Sequence, residues 1–443
     1  MDVRNPQVQP MRTVLRSLLL GCVALLPPTV RASPETIDEA LELAARRHLP
    51  VFADFQAQWC YSCYFMNTHV LNGEEWSALS GRVVTVEVDT DSPDGARWMK
   101  RLGVKVLPSY VVLTTDRTEL GRVVGEQPRE KFYPRMEKIL AGTDALDALK
   151  RQVAGGSVPA IADVLASYDA RGQFEEGLRW YAGLPAQRRK DAERDARVAT
   201  WRERLGMERA AKAEDRTACI ASGNKVLASD IGCDRYYVLE SLLDCSEQLP
   251  QAERTSLLSK QLPALDELLA RQVFVQPPQC ADQRTAVLVA ADLNKAIGDG
   301  KAEAAVLDRA IADARRRLGD NLAQDRNLAD NLRVYLARAE RMDELDALMP
   351  KLMAAYPDDY VYAYRFGSSL LSRKKPAEAL PYLEQAAEKS FGANRLMVAT
   401  ARVKALLALG RRAEAEKVVA DALEANGPWF PEQAEKLKAA LKR

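Results

Sequence analysis

The chain has 443 residues, and 63 lysines and arginines against 62 aspartates and glutamates leave a net charge of +1. That balance excludes recognition of nucleic acid or of an anionic membrane surface driven by a marked basic excess. The length predicts two or three domains.

Residues 1–32 have the layout of a secretory signal peptide. Arg12 and Arg16 precede the apolar stretch Ser17–Val30, and Val30 and Ala32 supply small residues ahead of a cut before Ser33. The stretch contains Pro27 and Pro28 and is too short to span a bilayer. Export is therefore expected, to the periplasm in a bacterial cell. Leu19-Leu20-Gly21-Cys22 also resembles a bacterial lipobox, although little apolar sequence lies upstream of it. On that alternative Cys22 is lipidated and the protein is anchored to a membrane; otherwise no membrane contact is expected.

From residue 33 to 142, helical and strand patterns alternate. Pro34–Arg47 reads as an amphipathic helix with Ser33 as its N-cap, and Val51–Phe55 as a short buried strand. A helix is expected over Tyr61–Leu71, a β-branched strand over Val83–Val88, and a short helix over Arg97–Leu102. Val104–Val106 follows, Pro108 interrupts, and Tyr110–Leu113 and Glu119–Val124 continue the strand pattern before a closing helix over Glu130–Leu140. Such alternation implies an α/β domain around a central sheet.

Trp59-Cys60-Tyr61-Ser62-Cys63 lies where the first strand hands over to a helix. A C-x-x-C at that point is a dithiol/disulfide redox motif. The first cysteine meets the free N–H groups and positive dipole end of the helix, which favour its thiolate. The second sits about one turn on, within reach of a mixed disulfide on the first. A purely structural disulfide is the competing reading. A metal site is not expected, because the chain has only two histidines, His48 and His69.

Residues 33–142 resemble the thioredoxin fold, and in particular exported thioredoxin-like domains. The resemblance rests on Asp54-Phe55-x-Ala57-x-Trp59-Cys60-x-x-Cys63, on Val86-Glu87-Val88-Asp89, on Val106-Leu107-Pro108-Ser109 and on Gly125 ahead of the last helix. It implies that Cys60 is the attacking thiolate and Cys63 the resolving thiol. Pro108 would be cis, with Leu107 pairing with an extended substrate, and Trp59 and Tyr61 would flank the docking region. Asp54 would accept the resolving thiol's proton; a carboxylate in an apolar run is costly unless paired or protonated. The plainer alternatives are a trans Pro108 that ends a strand and an Asp54 that faces solvent.

Two departures stand out. The family usually has Lys or Arg directly after the second cysteine, where this chain has Tyr64, and its lysine near the buried aspartate is replaced by Thr85 or Glu87. Tyr61-Ser62 is neither the Gly-Pro of strong reductants nor the Pro-His of strong oxidants, so the redox direction stays open.

Residues 143–443 read as helical throughout. Leu345, Met349 and Leu352 are followed by Pro357; Ala379, Leu383 and Ala386 recur 34 residues later, and Ala415, Val419 and Ala422 a further 36 on, with Gly367 lying 12 before Ala379. The period resembles tetratricopeptide helical hairpins. Fainter echoes occur at Gly177–Leu184 and Ala305–Ala312. The expected organisation is a signal peptide (1–32), a thioredoxin-like α/β domain (33–142), an α-helical domain (143–327) and TPR-like all-α repeats (328–443). Tyr360, Tyr362 and Tyr364 are candidate partner contacts if they face a concave surface, and core residues otherwise.

Cys219, Cys233, Cys245 and Cys280 lie far from the redox motif and are expected to form two structural disulfides in an oxidising compartment. Pairing neighbours, Cys219 with Cys233 and Cys245 with Cys280, is the weak preference, since it staples consecutive helices. The leading expectation is an exported thiol–disulfide oxidoreductase acting on protein thiols or disulfides. It would need no cofactor beyond its own dithiol, and the helical repeats would recruit a substrate or redox partner protein. The alternative is a repeat-based scaffold or assembly protein whose α/β domain is a docking module or redox sensor.

Overall fold

The computed structural model describes residues 33–442; the signal peptide and Cys22 expectations lie outside them. The chain begins as an α/β unit of four strands, β1 (Val51–Gln56), β2 (Val84–Asp89), β3 (Ser109–Leu113) and β4 (Glu119–Val124), in the order β2-β1-β3-β4. β1 runs parallel to β2 and antiparallel to β3, which pairs antiparallel with β4.

Five helices pack on this sheet: α1 (Ile37–Arg47), α2 (Tyr61–His69), α3 (Gly73–Ser80), α4 (Pro93–Leu102) and α5 (Arg129–Leu140). The helix expected from Pro34 starts later, because Thr36 rather than Ser33 is its N-cap and takes the Glu39 N–H. α3 has no counterpart in the expected elements, since Gly73 and a short apolar pattern hide it. Val104–Val106 forms a loop rather than a strand.

The two-residue period of β1 sorts its side chains between two cores. Val51, Ala53 and Phe55 join α1, α4 and the Val84-Val86-Val88 face of β2. Phe52 joins Met66 and Val70 of the α2 region and Phe132 and Met136 of α5. Asp54 shares the parity of Phe52, so it faces the side of the sheet that α2 covers.

From Leu146 to Leu441 the regular structure is entirely helical, in short-connected antiparallel pairs. Among the described residues no helix is long and apolar enough to cross a membrane. The repeat positions are packing positions. Leu345, Met349, Leu352, Ala379, Leu383, Ala386, Ala415, Val419 and Ala422 are all buried. Gly367 lets two helices touch, since a Cβ there would lie 2.7 Å from the Leu383 side chain. The Ala305–Ala312 echo is out of register. Ala305 and Ala312 are exposed, and the Gly300–Leu318 helix buries Leu307, Ala310 and Ala314 instead. One apolar core runs from Met207 to Ala440, across the boundary expected between residues 327 and 328. Tyr360 and Tyr362 are core residues, whereas Tyr364 is only partly buried.

The disulfides pair Cys219 with Cys245 and Cys233 with Cys280, which corrects the preference for neighbouring pairs. The hairpin of Arg216–Leu227 and Arg235–Cys245 is the reason. Antiparallel helices set the start of one against the end of the next, so Cys219 meets Cys245 across a turn midway between them. Cys233, left at that turn, meets Cys280 from the following loop. These bonds close loops with sequence separations of 26 and 47 residues. Replacing either pair by serine should lower the unfolding free energy by about 3–4 kcal/mol, read as a lower urea midpoint that reductant no longer shifts as far.

Candidate active site

Cys60 is the N-cap of α2, with extended backbone, and its Sγ accepts the Cys63 N–H at 3.1 Å. The cap places the sulfur where the helix leaves N–H groups unpaired, the position that best stabilises a thiolate. Cys60 and Cys63 are joined in a disulfide and are only 3% and 2% exposed. Ala57 and Leu107 pack against the pair.

Pro108 follows a cis peptide bond, as the family resemblance implies, and its carbonyl accepts the Gly125 N–H at 2.9 Å. Leu107 is partly buried beside the sulfurs, while its neighbour Val106 is 53% exposed. Trp59 is 40% exposed and is held by its indole N–H, which donates to Asp91 Oδ2 at 2.8 Å. Trp59 and Val106 therefore mark apolar open ground beside a covered disulfide.

Asp54 is buried, and its Oδ1 has no hydrogen-bond partner. Burial, with Glu87 adding repulsion, pushes its pKa from 3.8 up to about 8. A second acid escaped the sequence reading. Glu126 is 7% exposed and neither carboxyl oxygen has a partner. Burial, reinforced by Asp282, drives its pKa well above the usual range against the opposing pull of Ser62 and Arg284. Its position directly after Gly125 was the available signal.

The largest difference from expectation is what covers the motif. Asn327 donates to the Tyr61 carbonyl at 2.9 Å, and Arg365 donates to the Trp59 carbonyl at 3.0 Å. Arg284 lies 3.6 Å over the Tyr61 ring and Arg326 4.0 Å over the Tyr64 ring. Tyr61, expected to dock substrate, is instead engaged by the helical array. His69 pairs with Asp325 at 2.9 Å. Further along, Asp91 accepts from Asn394 at 2.9 Å through its side chain and from the Ala393 N–H at 3.1 Å through its carbonyl. Gly392 is required there, because its φ is +52° and a Cβ would stand 1.9 Å from the Asp91 oxygen.

No local motif announced these array residues. One signal was present, since the Arg326–Arg338 helix buries Asn327, Asp330 and Asn331 beside Leu328 and Leu332. Polar residues on a buried face imply a polar neighbour.

A sequence model of the thioredoxin-like family matches residues 32–115. Among solved structures, the chain is similar to a thioredoxin from Thermus thermophilus, at 30% identity over 24% of this chain and 84% of that one, with a TM-score of 0.22. It is also similar to a tetratricopeptide repeat protein from Parabacteroides merdae, at 13% identity over 63% of this chain and 98% of that one, with a TM-score of 0.38. The chain thus carries a thioredoxin-like domain with a close cysteine pair, followed by a helical-hairpin array.

The raised pKa of Asp54 has a definite sign for stability. Between about pH 4 and pH 8 the native state holds a proton that the unfolded chain has lost, so stability falls as pH rises through that window. Asp54→Asn should make this fall shallower, Glu126 supplying part of what remains, and comparing urea unfolding of the two proteins at about pH 5 and about pH 8 measures the difference.

Proposed function

We propose that the protein is an exported thiol–disulfide oxidoreductase that exchanges electrons with protein cysteines through Cys60 and Cys63. The observation that carries this reading is the Cys60–Cys63 disulfide at the N-terminus of α2, with Leu107 and cis Pro108 beside it.

In the reducing direction the Cys60 thiolate attacks one sulfur of a substrate disulfide. A Cys60–substrate bond forms as the substrate S–S bond breaks, and the other substrate sulfur leaves as a thiolate. Cys63 then loses its proton and attacks Cys60 Sγ. The Cys60–Cys63 disulfide re-forms, the second substrate thiol leaves, and two electrons have passed to the substrate. Run backwards, the same steps oxidise a substrate dithiol. Asp54, on the α2 side of the sheet and with a pKa of about 8, is suited to hold the proton of Cys63.

The exposed Trp59 and Val106 favour approach from that side. A groove of about 610 Å³ continues from Trp59 and Asp91 to Tyr364, Met397 and Lys404 of the array, giving a substrate segment room to lie down. Its walls join both parts of the chain, which supports recruitment of a protein partner by the array. Export is supported by the signal-peptide pattern and by two disulfides remote from the redox pair. The chemistry requires no cofactor beyond the dithiol.

A second reading is favoured by the hydrogen bonds from Asn327 and Arg365 to the motif. In it the domain is a redox sensor whose state is read by the array. Cys63→Ala decides between the two. The first reading expects a Cys60-linked mixed disulfide with other proteins from the cell, and wild-type turnover either in reducing a disulfide-bonded protein such as insulin or in oxidising a reduced one. The sensor reading expects neither, with the cellular response to a redox change lost in Cys60→Ala. Under the first reading, Asp54→Asn should slow release of the mixed disulfide by about 10²-fold, followed by quenched single turnovers.

A further inference from the structure

Position 64 of this chain carries Tyr where a basic residue follows the second cysteine in thioredoxin-like sequences, yet the ring of Tyr64 is covered by a guanidinium. It belongs to Arg326, at the start of the Arg326–Arg338 helix, 4.0 Å from the ring centre. On the other side of Cys60, Arg365 of the Val361–Ser372 helix donates through Nη2 to the Trp59 carbonyl at 3.0 Å. That carbonyl carbon is bonded to the Cys60 nitrogen, so the charge of Arg365 sits one peptide unit from the reactive cysteine.

The cluster behind Arg365 keeps it in place. Its other nitrogen, Nη1, bonds Asp330, which also takes Arg284 at 2.6 Å and Arg333 at 2.8 Å. Asp330 is wholly buried, so one carboxylate serves three guanidiniums. Arg326 is matched by Asp359 and Asp91 accepts from the Trp59 indole, while Asp54 Oδ1 and both Glu126 carboxyl oxygens are buried without hydrogen-bond partners. The array brings acids as well as cations to the motif, with Asp325 on His69 and Asp359 on Arg326, but Arg365 is the charged array group hydrogen-bonded directly to the peptide of Cys60.

We propose that Arg365 and Arg326 are positioning residues for the Cys60–Cys63 couple, bringing charge from the helical array that favours the thiolate and the reduced dithiol. This rests on the oxidoreductase reading for its use in catalysis, but the effect on the couple is a property of the folded chain. Opposite charge close to an ionisable group stabilises its charged form. A stabilised thiolate in turn favours the dithiol over the disulfide.

The test uses the full chain and glutathione as the redox probe. One protein disulfide plus two glutathione thiols gives one protein dithiol plus one glutathione disulfide. Arg365→Gln keeps a donor for the Trp59 carbonyl but removes the charge. It should raise the Cys60 pKa, read from thiolate absorbance, by about one unit. The glutathione equilibrium should move about tenfold toward the protein disulfide, which corresponds to about 30 mV. Arg365→Lys, which keeps the charge, should stay close to wild type, and Arg326→Gln should move both readouts in the direction of Arg365→Gln. A wild-type pKa and equilibrium in Arg365→Gln, or an Arg365→Lys shift as large as that of Arg365→Gln, overturns the proposal. If Arg365→Gln fails to fold because Asp330 loses a partner, Arg326→Gln decides alone, since Arg326 pairs with Asp359 and not Asp330. Absence of wild-type turnover on protein substrates would defeat the oxidoreductase reading and leave these equilibrium readouts intact.

Discussion

Asp330 is completely buried, and the charge it carries is met by Arg284, Arg333 and Arg365. Burial alone would raise its pKa, but the three guanidiniums hold it well below the usual carboxylate range. Such a carboxylate cannot lose one partner cheaply, because an uncompensated buried charge costs about 3–5 kcal/mol. The geometry of the cluster is correspondingly firm. Two of its arginines reach the redox motif, Arg365 at the Trp59 carbonyl and Arg284 over the Tyr61 ring. A polar knot inside the helical array thus determines how the array lies on the thioredoxin-like domain.

The electrostatics around the cysteines follow from burial as much as from pairing. Asp54 and Glu126 are both buried, and desolvation, which outweighs the Ser62 contact at Glu126, favours the neutral form of each. The arginines of the array find carboxylates, carbonyls and aromatic faces to bind. Which charges face the cysteines is therefore set by the pairing of the arginines and by the burial of the acids together.

Much of the N-terminal part was legible because local patterns decide it. The apolar run at Val51–Phe55, the C-x-x-C behind it and the proline at 108 each carry their own constraint, and the sheet they build follows. The cap at Thr36 instead of Ser33 and the helix Gly73–Ser80 were missed because weak end signals decide them. In the array, small residues at a regular period disclosed the hairpins. The disulfide pairing was also within reach, had the antiparallel register about the turn near Gly232 been followed. Asn327, Arg365 and Arg284 were not legible as site residues. They lie more than two hundred residues from the motif they touch, and only tertiary packing brings them to it.

Contact between the array and the motif works in both directions. If the array favours the reduced couple over the oxidised one by some factor, linkage requires the redox state to change the grip of the array by the same factor. The carbonyls gripped by Arg365 and Asn327 belong to Trp59 and Tyr61, the residues on either side of Cys60. Asp91 ties Trp59 to Asn394, so the same motif is also fastened to the far end of the array. Trp59, next to the reactive cysteine, is therefore held at two points along the helical stack. Oxidoreductase and sensor are then two uses of one coupling, and the magnitude of the Arg365 effect on the couple limits how much either use can draw from it.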